Sequence, residues 1–387
     1  MPNSKGLVSW RNQAPPIEMP AQSGALRCVV AIPARDEAAL IARCLNALAE
    51  QNTRTPFAVV LFLNNCTDAT ADVVRGMADA LPYPLYVHEA QLPPELSDAA
   101  WARRLAVNAA CALASADGVV LSTDADSYAA STWISECEDA FAHGADVVCG
   151  FVAPDFTDAP SLDFESLRQG AMEYEYSQLA TELVALVDPD PRDPWPRHKL
   201  ETGANLGVRT RVLRALDGIP HICPGEDLAF VRMARRAGFT IRHAFRPHVT
   251  TSSRIDGRAS GGWSADLRAR ATNTRGECHE TLEPAARIMR RTLLRVKMRE
   301  AYGTSAFRAH TARMVCANEA LGPILDAPTF EQAWGALEDA SSLLRQRPLM
   351  RTTLEANLVE LRTLVERWRA QTGQHTLAPI SITAPND

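Results

Sequence analysis

The chain has no apolar run approaching the ~20 residues that span a bilayer, and its opening, MPNSKGLVSWRNQAPP, lacks the apolar core of a secretory signal. Its nine cysteines stand singly, are odd in number and include no CxxC pair. That excludes a disulfide framework and a zinc ribbon, and the expected location is a reducing cytoplasm. No internal repeat is visible, so a solenoid is excluded. Nor is there an excess of positive charge: 40 Lys and Arg face 46 Asp and Glu, for a net charge of −6 and a pI of about 5.9. A nucleic-acid binder using its whole surface is therefore not expected. What remains is 46% hydrophobic and 22% charged, the composition of a globular protein. At 387 residues the chain exceeds one comfortable core, so one large domain with an appendage is expected.

Residues 1–26 are polar and carry prolines, and read as a flexible arm. From Cys28 strand and helix alternate. CVVAI (28–32), AVVLFL (58–63), PLYVH (84–88), Val119–Leu121 and ADVVCGFVA (145–153) read as buried strands. Leu40, Ile41, Cys44, Leu45 and Leu48 mark one helical face, and Val73, Val74 and Met77 mark another. Ser97 is a candidate cap for a helix running to about Ala114. Strands of continuous apolar character separated by helices imply a mostly parallel sheet with helices on both faces. Residues 161–187 read as one long helix. DPDPRDPWPRH (188–198) holds four prolines in eleven residues and reads as a loop. GEDLAFVRMARRAGF opens on two acids and closes at Gly238, as a helix should. Residues 240–253 hold two strand-like segments. Residues 264–371 are helical in pattern, and 372–387 read as a flexible tail.

Polar clusters follow three of the strands: Arg35, Asp36 and Glu37; Asn64, Asn65 and Asp68; Asp124 and Asp126. Ligands of open α/β sheets bind at the carboxyl ends of strands. Two aspartates one residue apart at such an end either form a solvated turn that caps the next helix, or hold a hard divalent cation that itself holds a diphosphate.

Several segments together resemble a family 2 glycosyltransferase of the GT-A fold. VVAIPARDEAALIARCLNAL is similar to that family's opening motif and NNCTDATADVV to its second. STDADS resembles its DxD, TGANLGVR its acceptor-side segment, PGEDLAFVRMARRAG its ED motif, and SSRIDGRASGGW its mobile basic segment. The resemblance covers residues 28 to about 263, so 27–263 is the expected catalytic domain and 264–371 a helical appendage. It implies transfer of a sugar from a UDP- or GDP-linked donor to an acceptor hydroxyl, aided by Mg²⁺ or Mn²⁺. Asp126 would bind the metal, and Asp124 would contact the ribose or donor sugar. Asp227 would be the general base of an inverting reaction, with Glu226 its rival; both also suit a helix N-terminus on dipole grounds alone.

The resemblance places Pro33, Arg35, Glu37, Asn65 and Asp68 on the donor side. His248, at another strand end, would be a further metal ligand, or a structural histidine. Arg254 and Arg258 would reach the diphosphate from a segment loosened by Gly257, Gly261 and Gly262. Gly203, Asn205 and Trp263 would line the acceptor side. Two departures stand out. Leu63, Asn64 and Asn65 replace the usual base-reading Asp, and Asp36 stands where Asn is usual. The rivals are a retaining GT-A enzyme with a phosphoglycerate-type acceptor, a nucleotidyltransferase, whose Gly-rich first turn is missing from IPARDEA, and an inactive binding module. Beyond the motifs, six of the thirteen residues from Arg287 to Arg299 are basic. That stretch reads as a packed helix with a solvated arginine side in preference to one lying on an anionic membrane.

Overall fold

A computed structural model of the chain describes residues 26–155, 157, 164–254, 257, 264, 267–268, 276–279, 281–315 and 318–373. These group into two compact units, Met1–Ser166 with Pro196–Thr274, and Leu167–Trp195 with Arg275–Asp387. The expected boundary at residue 263, the N-terminal arm up to residue 25 and the tail from residue 374 lie outside the described residues.

The first unit is an eight-stranded α/β sheet. Its elements run β1 (Leu26–Ala34), α1 (Ile41–Ala49), β2 (Phe57–Asn64), α2 (Thr70–Met77), β3 (Leu85–Ala90), α3 (Ala99–Leu113), β4 (Ala114–Ser122), β5 (Ser127–Ala129), α4 (Trp133–Ala142) and β6 (Val147–Asp155). The helix α5 (Phe164–Val187) follows, then β7 (Leu206–Arg209), α6 (Thr210–Ala215), α7 (Glu226–Arg236) and β8 (Ile241–Ser252). The strand order is β3-β2-β1-β4-β7-β6-β8-β5. Strands β7 and β5 run antiparallel to their neighbours; the other pairings are parallel. Residues Cys28–Ile32 of β1 are wholly buried because helices cover both faces. Val29 and Ala31 join one core with α3; Val30 and Ile32 join the other with α1. This is the mostly parallel α/β sheet expected of a GT-A domain. Since β2 and β4 leave β1 on opposite sides, the strand order reverses there, and the crevice at that reversal is where such sheets bind ligands.

Two local expectations are corrected. The cap of α3 is Asp98, not Ser97: its carboxylate accepts from the Trp101 amide at 2.8 Å. The two segments over 240–253 are one strand, β8, with an irregularity. Gly150 of β6 pairs with Ala244, but Phe151 pairs with His248, so Phe245, Arg246 and Pro247 bulge out of register. The interruption leaves carbonyls without ladder partners, and Asn205 supplies them. Its Nδ2 donates to Phe151 O at 2.8 Å and Pro247 O at 2.9 Å, while its Oδ1 accepts from Trp133 Nε1 at 2.8 Å. A buried amide so used cannot line an acceptor pocket, which corrects the expectation for Asn205.

The second unit is helical. Most of α5 packs with α8 (Ala285–Ala301) and α12 (Leu354–Thr372) around Tyr176, Leu183, Leu354 and Leu361. A second core joins α8 to α9 (Ser305–Met314), α10 (Leu321–Leu325) and α11 (Phe330–Ala340). The helix α8 is packed as expected, and its basic residues divide: Arg290, Lys297 and Arg299 are exposed, while Arg287, Arg291 and Arg295 are half-buried on acids. Arg295 and Arg299 both bind the buried carboxylate of Asp188, Arg295 also binds Glu331 at 2.7 Å, and Arg287 and Arg291 bind Glu283 at 3.1 and 2.9 Å. Buried acids demand such partners. Among the described residues no helix is long and apolar enough to cross a membrane.

A Cβ at Gly150 would fall 2.2 Å from Asn205 Oδ1. Gly150→Ala must therefore displace the plug and is expected to destabilise by roughly 1–3 kcal/mol, read as a lower denaturant midpoint. An unchanged midpoint would show that Asn205 is free to move aside.

Candidate active site

The turns after β1 and β2 are zipped together. Asp36, at φ 53°, accepts through Oδ1 from Thr67 N at 2.6 Å and Asp68 N at 3.2 Å. Asp68 accepts from Ala38 N at 3.0 Å and from the Thr70 amide and hydroxyl, and that hydroxyl accepts from Glu37 N at 2.7 Å. Asp tolerates the left-handed backbone that Asp36 needs, so the Asn-to-Asp departure costs the turn little. Asn65 exchanges two hydrogen bonds with the Leu92 backbone, at 2.8 and 3.0 Å, and Asn64 donates to Ser97 O at 3.0 Å. Arg35 is exposed and donates to the same carbonyl at 3.1 Å. Pro33 sits one residue before the end of β1, opposite Phe62. Among the predicted donor residues, then, Asn65 and Asp68 bind the protein's own backbone and brace the crevice.

The centre of the site is a residue that sequence reading missed. Arg103 of α3 is buried, and its guanidinium binds four partners: Asp124 Oδ1 at 2.7 Å, Glu226 Oε1 at 2.9 Å, Ser122 Oγ at 3.0 Å and Gly203 O at 2.9 Å. It joins the end of β4, the segment before β7 and the start of α7. The signal was present: Arg103 occupies the i position of an i, i+3, i+4, i+7 stripe with Ala106, Val107 and Ala110, all buried. A charge on a core stripe needs an ionic partner. Gly203 has no room for a side chain, since a Cβ there would lie 2.3 Å from Arg103 Cζ.

The two acids of the ED pair differ. Glu226 is buried and turned inward onto Arg103. Asp227 is partly exposed at the N-terminus of α7, and accepts from Gly203 N and Leu228 N, both at 2.8 Å. Burial, with the neighbouring Glu226 charge second, raises the Asp227 carboxyl above its ordinary range, against the pull of Arg103 and the two amides.

Asp126 is pushed up to about 7, by burial first and then by the charges of Asp124 and Glu37. Arg254 opposes this. Its guanidinium binds Glu37 and lies 3.2 Å from Asp126 Oδ2. The crowded carboxylates fit a hard divalent cation, whose arrival would relieve their repulsion. Among the described residues no three His, Cys, Asp or Glu side chains gather as a complete metal cage. An ion held through Asp126 would take its remaining oxygens from a diphosphate and water, the usual arrangement for Mg²⁺.

His248 is not brought to Asp126. The residue beside Asp126 is Ser252, whose amide donates to Asp126 O at 3.2 Å, and four residues of strand at ~3.3 Å each separate it from His248. His248 packs edge-on to Phe151, with ring centroids 5.6 Å apart, and among the described residues its buried Nε2 has no hydrogen-bond partner. Burial lowers its pKa, as befits a neutral structural histidine. Arg258, Gly261, Gly262 and Trp263 lie outside the described residues.

A profile described as glycosyltransferase-like family 2 matches residues 27–291. The chain belongs to that family and is a glycosyltransferase. No curated protein matches it in sequence. Among solved structures it is similar to S. aureus TarS 1-349 in complex with UDP, at 16% identity over 92% of this chain and 95% of that one, with a TM-score of 0.45. The mannosyltransferase PcManGT from Pyrobaculum calidifontis, in complex with GDP-Man and Mn²⁺, is 17% identical over 94% and 87%, with a TM-score of 0.42. The glucosyl-3-phosphoglycerate synthase of Mycobacterium tuberculosis, with Mn²⁺, UDP-glucose and phosphoglyceric acid, is 14% identical over 64% and 79%, at 0.38.

Arg103→Met removes one cation from two acids. Breaking a buried pair costs about 3–5 kcal/mol, so the denaturant midpoint is expected to fall steeply. A loss below about 1 kcal/mol would show that water already serves Glu226 and Asp124.

Proposed function

We propose that the protein is an inverting, metal-dependent glycosyltransferase that moves a sugar from a UDP- or GDP-linked donor to an acceptor hydroxyl, with Asp227 as general base. The observation that carries the reading is the division of labour in the ED pair. Arg103 holds Glu226 inward, and Asp227, at the same helix N-terminus, is the partly exposed acid of the two. Gly203 and Leu228 fix the Asp227 carboxylate through both oxygens, so its orientation is set before the acceptor arrives. Glu37 and Asp124 stand at the ends of β1 and β4, where the ribose and donor sugar would lie. Asp126 would hold Mg²⁺ or Mn²⁺, whose chemistry there is neutralisation of the leaving diphosphate. Gly203 offers the acceptor a wall without a side chain.

A base must be ionised to take the acceptor proton. Because the Asp227 carboxyl is raised, kcat/KM is expected to fall as pH drops through a value above the ordinary aspartate range. Asp227→Asn should lower turnover by about 10²–10⁴ while Mn²⁺-dependent UDP or GDP binding persists. Glu226→Gln should act mainly on stability. If Asp227→Asn slows transfer by less than tenfold, the retaining alternative replaces this reading; if only Glu226→Gln slows it, the base is Glu226.

Asp126→Ala is expected to abolish the Mn²⁺ dependence of nucleotide binding, measured by thermal shift, with the fold intact. Binding that keeps its wild-type metal dependence would remove Asp126 from the metal site.

A further inference from the structure

Arg254 lies where a divalent ion would be needed. It follows the last residue of β8 by two, and the base of this segment is anchored. Ser252 N donates to Asp126 O at 3.2 Å, Ser252 Oγ accepts from Arg254 N at 3.3 Å, and Ser253 is fully buried. Arg254 is thus the first side chain past the anchored stretch. Its guanidinium bridges two acids from different strand ends, Glu37 after β1 and Asp126 after β4. Both carboxylates are largely enclosed, with side chains 7% and 22% exposed, and enclosed carboxylates require a counter-charge.

We propose that Arg254 is the resident counter-ion of the donor-free site, which a divalent cation and the donor's diphosphate displace together. This rests on the donor and metal reading above. The guanidinium cannot lose its proton near neutral pH, so its competition with a metal persists throughout that range. A divalent ion arriving alone must take Asp126 from Arg254 and sit beside a guanidinium still held by Glu37, so the two cations repel each other. Arriving with a nucleoside diphosphate, it leaves the arginine a phosphate to bind, and guanidinium–phosphate contacts are strong and bidentate. Metal and nucleotide therefore bind cooperatively, and the coupling is reciprocal.

Mn²⁺ binding measured by electron paramagnetic resonance, alone and with saturating UDP or GDP, tests this. In the wild-type protein the nucleotide should tighten Mn²⁺ binding by about 5- to 150-fold, the usual span of such coupling. Arg254→Gln, which removes the competing charge at similar length, should bind Mn²⁺ alone more tightly than wild type and show a smaller nucleotide effect. Arg254→Lys keeps the charge and should bind Mn²⁺ alone as weakly as wild type. Unchanged or weaker Mn²⁺ binding by a folded Arg254→Gln overturns the proposal, as does a wild-type protein whose Mn²⁺ affinity ignores the nucleotide. If the wild-type protein binds neither nucleotide with Mn²⁺, the donor reading itself fails.

Discussion

One buried guanidinium ties the chemistry of this site to its fold. Arg103 gathers an acid from the end of β4, a carbonyl from the segment before β7 and an acid from the first turn of α7. None of these is adjacent in sequence, and the two acids would not keep their places alone: the buried carboxylate of Glu226 and the part-buried one of Asp124 repel each other without a cation between them. Paired, they fix the distance between the two sides of the crevice. Asp227 inherits its position from this arrangement, because its neighbour Glu226 is pinned and its own carboxylate is bound to the amide of the glycine that Arg103 presses upon.

The rest of the site follows as a balance of charge across the carboxyl edge of the sheet. Glu37, Asp124, Asp126, Glu226 and Asp227 bring five carboxyl groups together. Arg103 answers them from below, within the core, and cannot leave. Arg254 answers them from the strand end. The same side-chain type thus serves as a fixed part of the frame and as an exchangeable charge, distinguished only by how much packed structure surrounds it.

The sheet was legible in the sequence because its strands are continuous apolar runs between helices, the pattern of a parallel sheet covered on both faces. Asp124, Asp126, Glu226 and Asp227 were legible because acids at strand ends and helix starts are conspicuous. Three things were not. Arg103 hid because one of two adjacent arginines in an alanine-rich helix reads as an exposed residue until its stripe is counted. Asn205 appeared to belong to the acceptor side because its true task, completing the hydrogen bonds of an interrupted strand pair, exists only once β6 and β8 are side by side. Likewise His248 sits at the end of an apparent strand only if β8 is cut in two at the bulge; as one strand, it carries the histidine away from Asp126.

The absence of a side chain at position 203 bears on how such an enzyme can diversify. Any larger residue there would drive into Arg103 and loosen its hold on Asp124 and Glu226 together. Change that spares the fold must therefore come from positions whose side chains are not shared with that frame. Leu200 and Ile222, 39% and 50% exposed within a few residues of Gly203 and Asp227 in sequence, meet that condition. Substitutions at those two positions leave the Arg103 frame untouched, whereas any side chain at 203 collides with it.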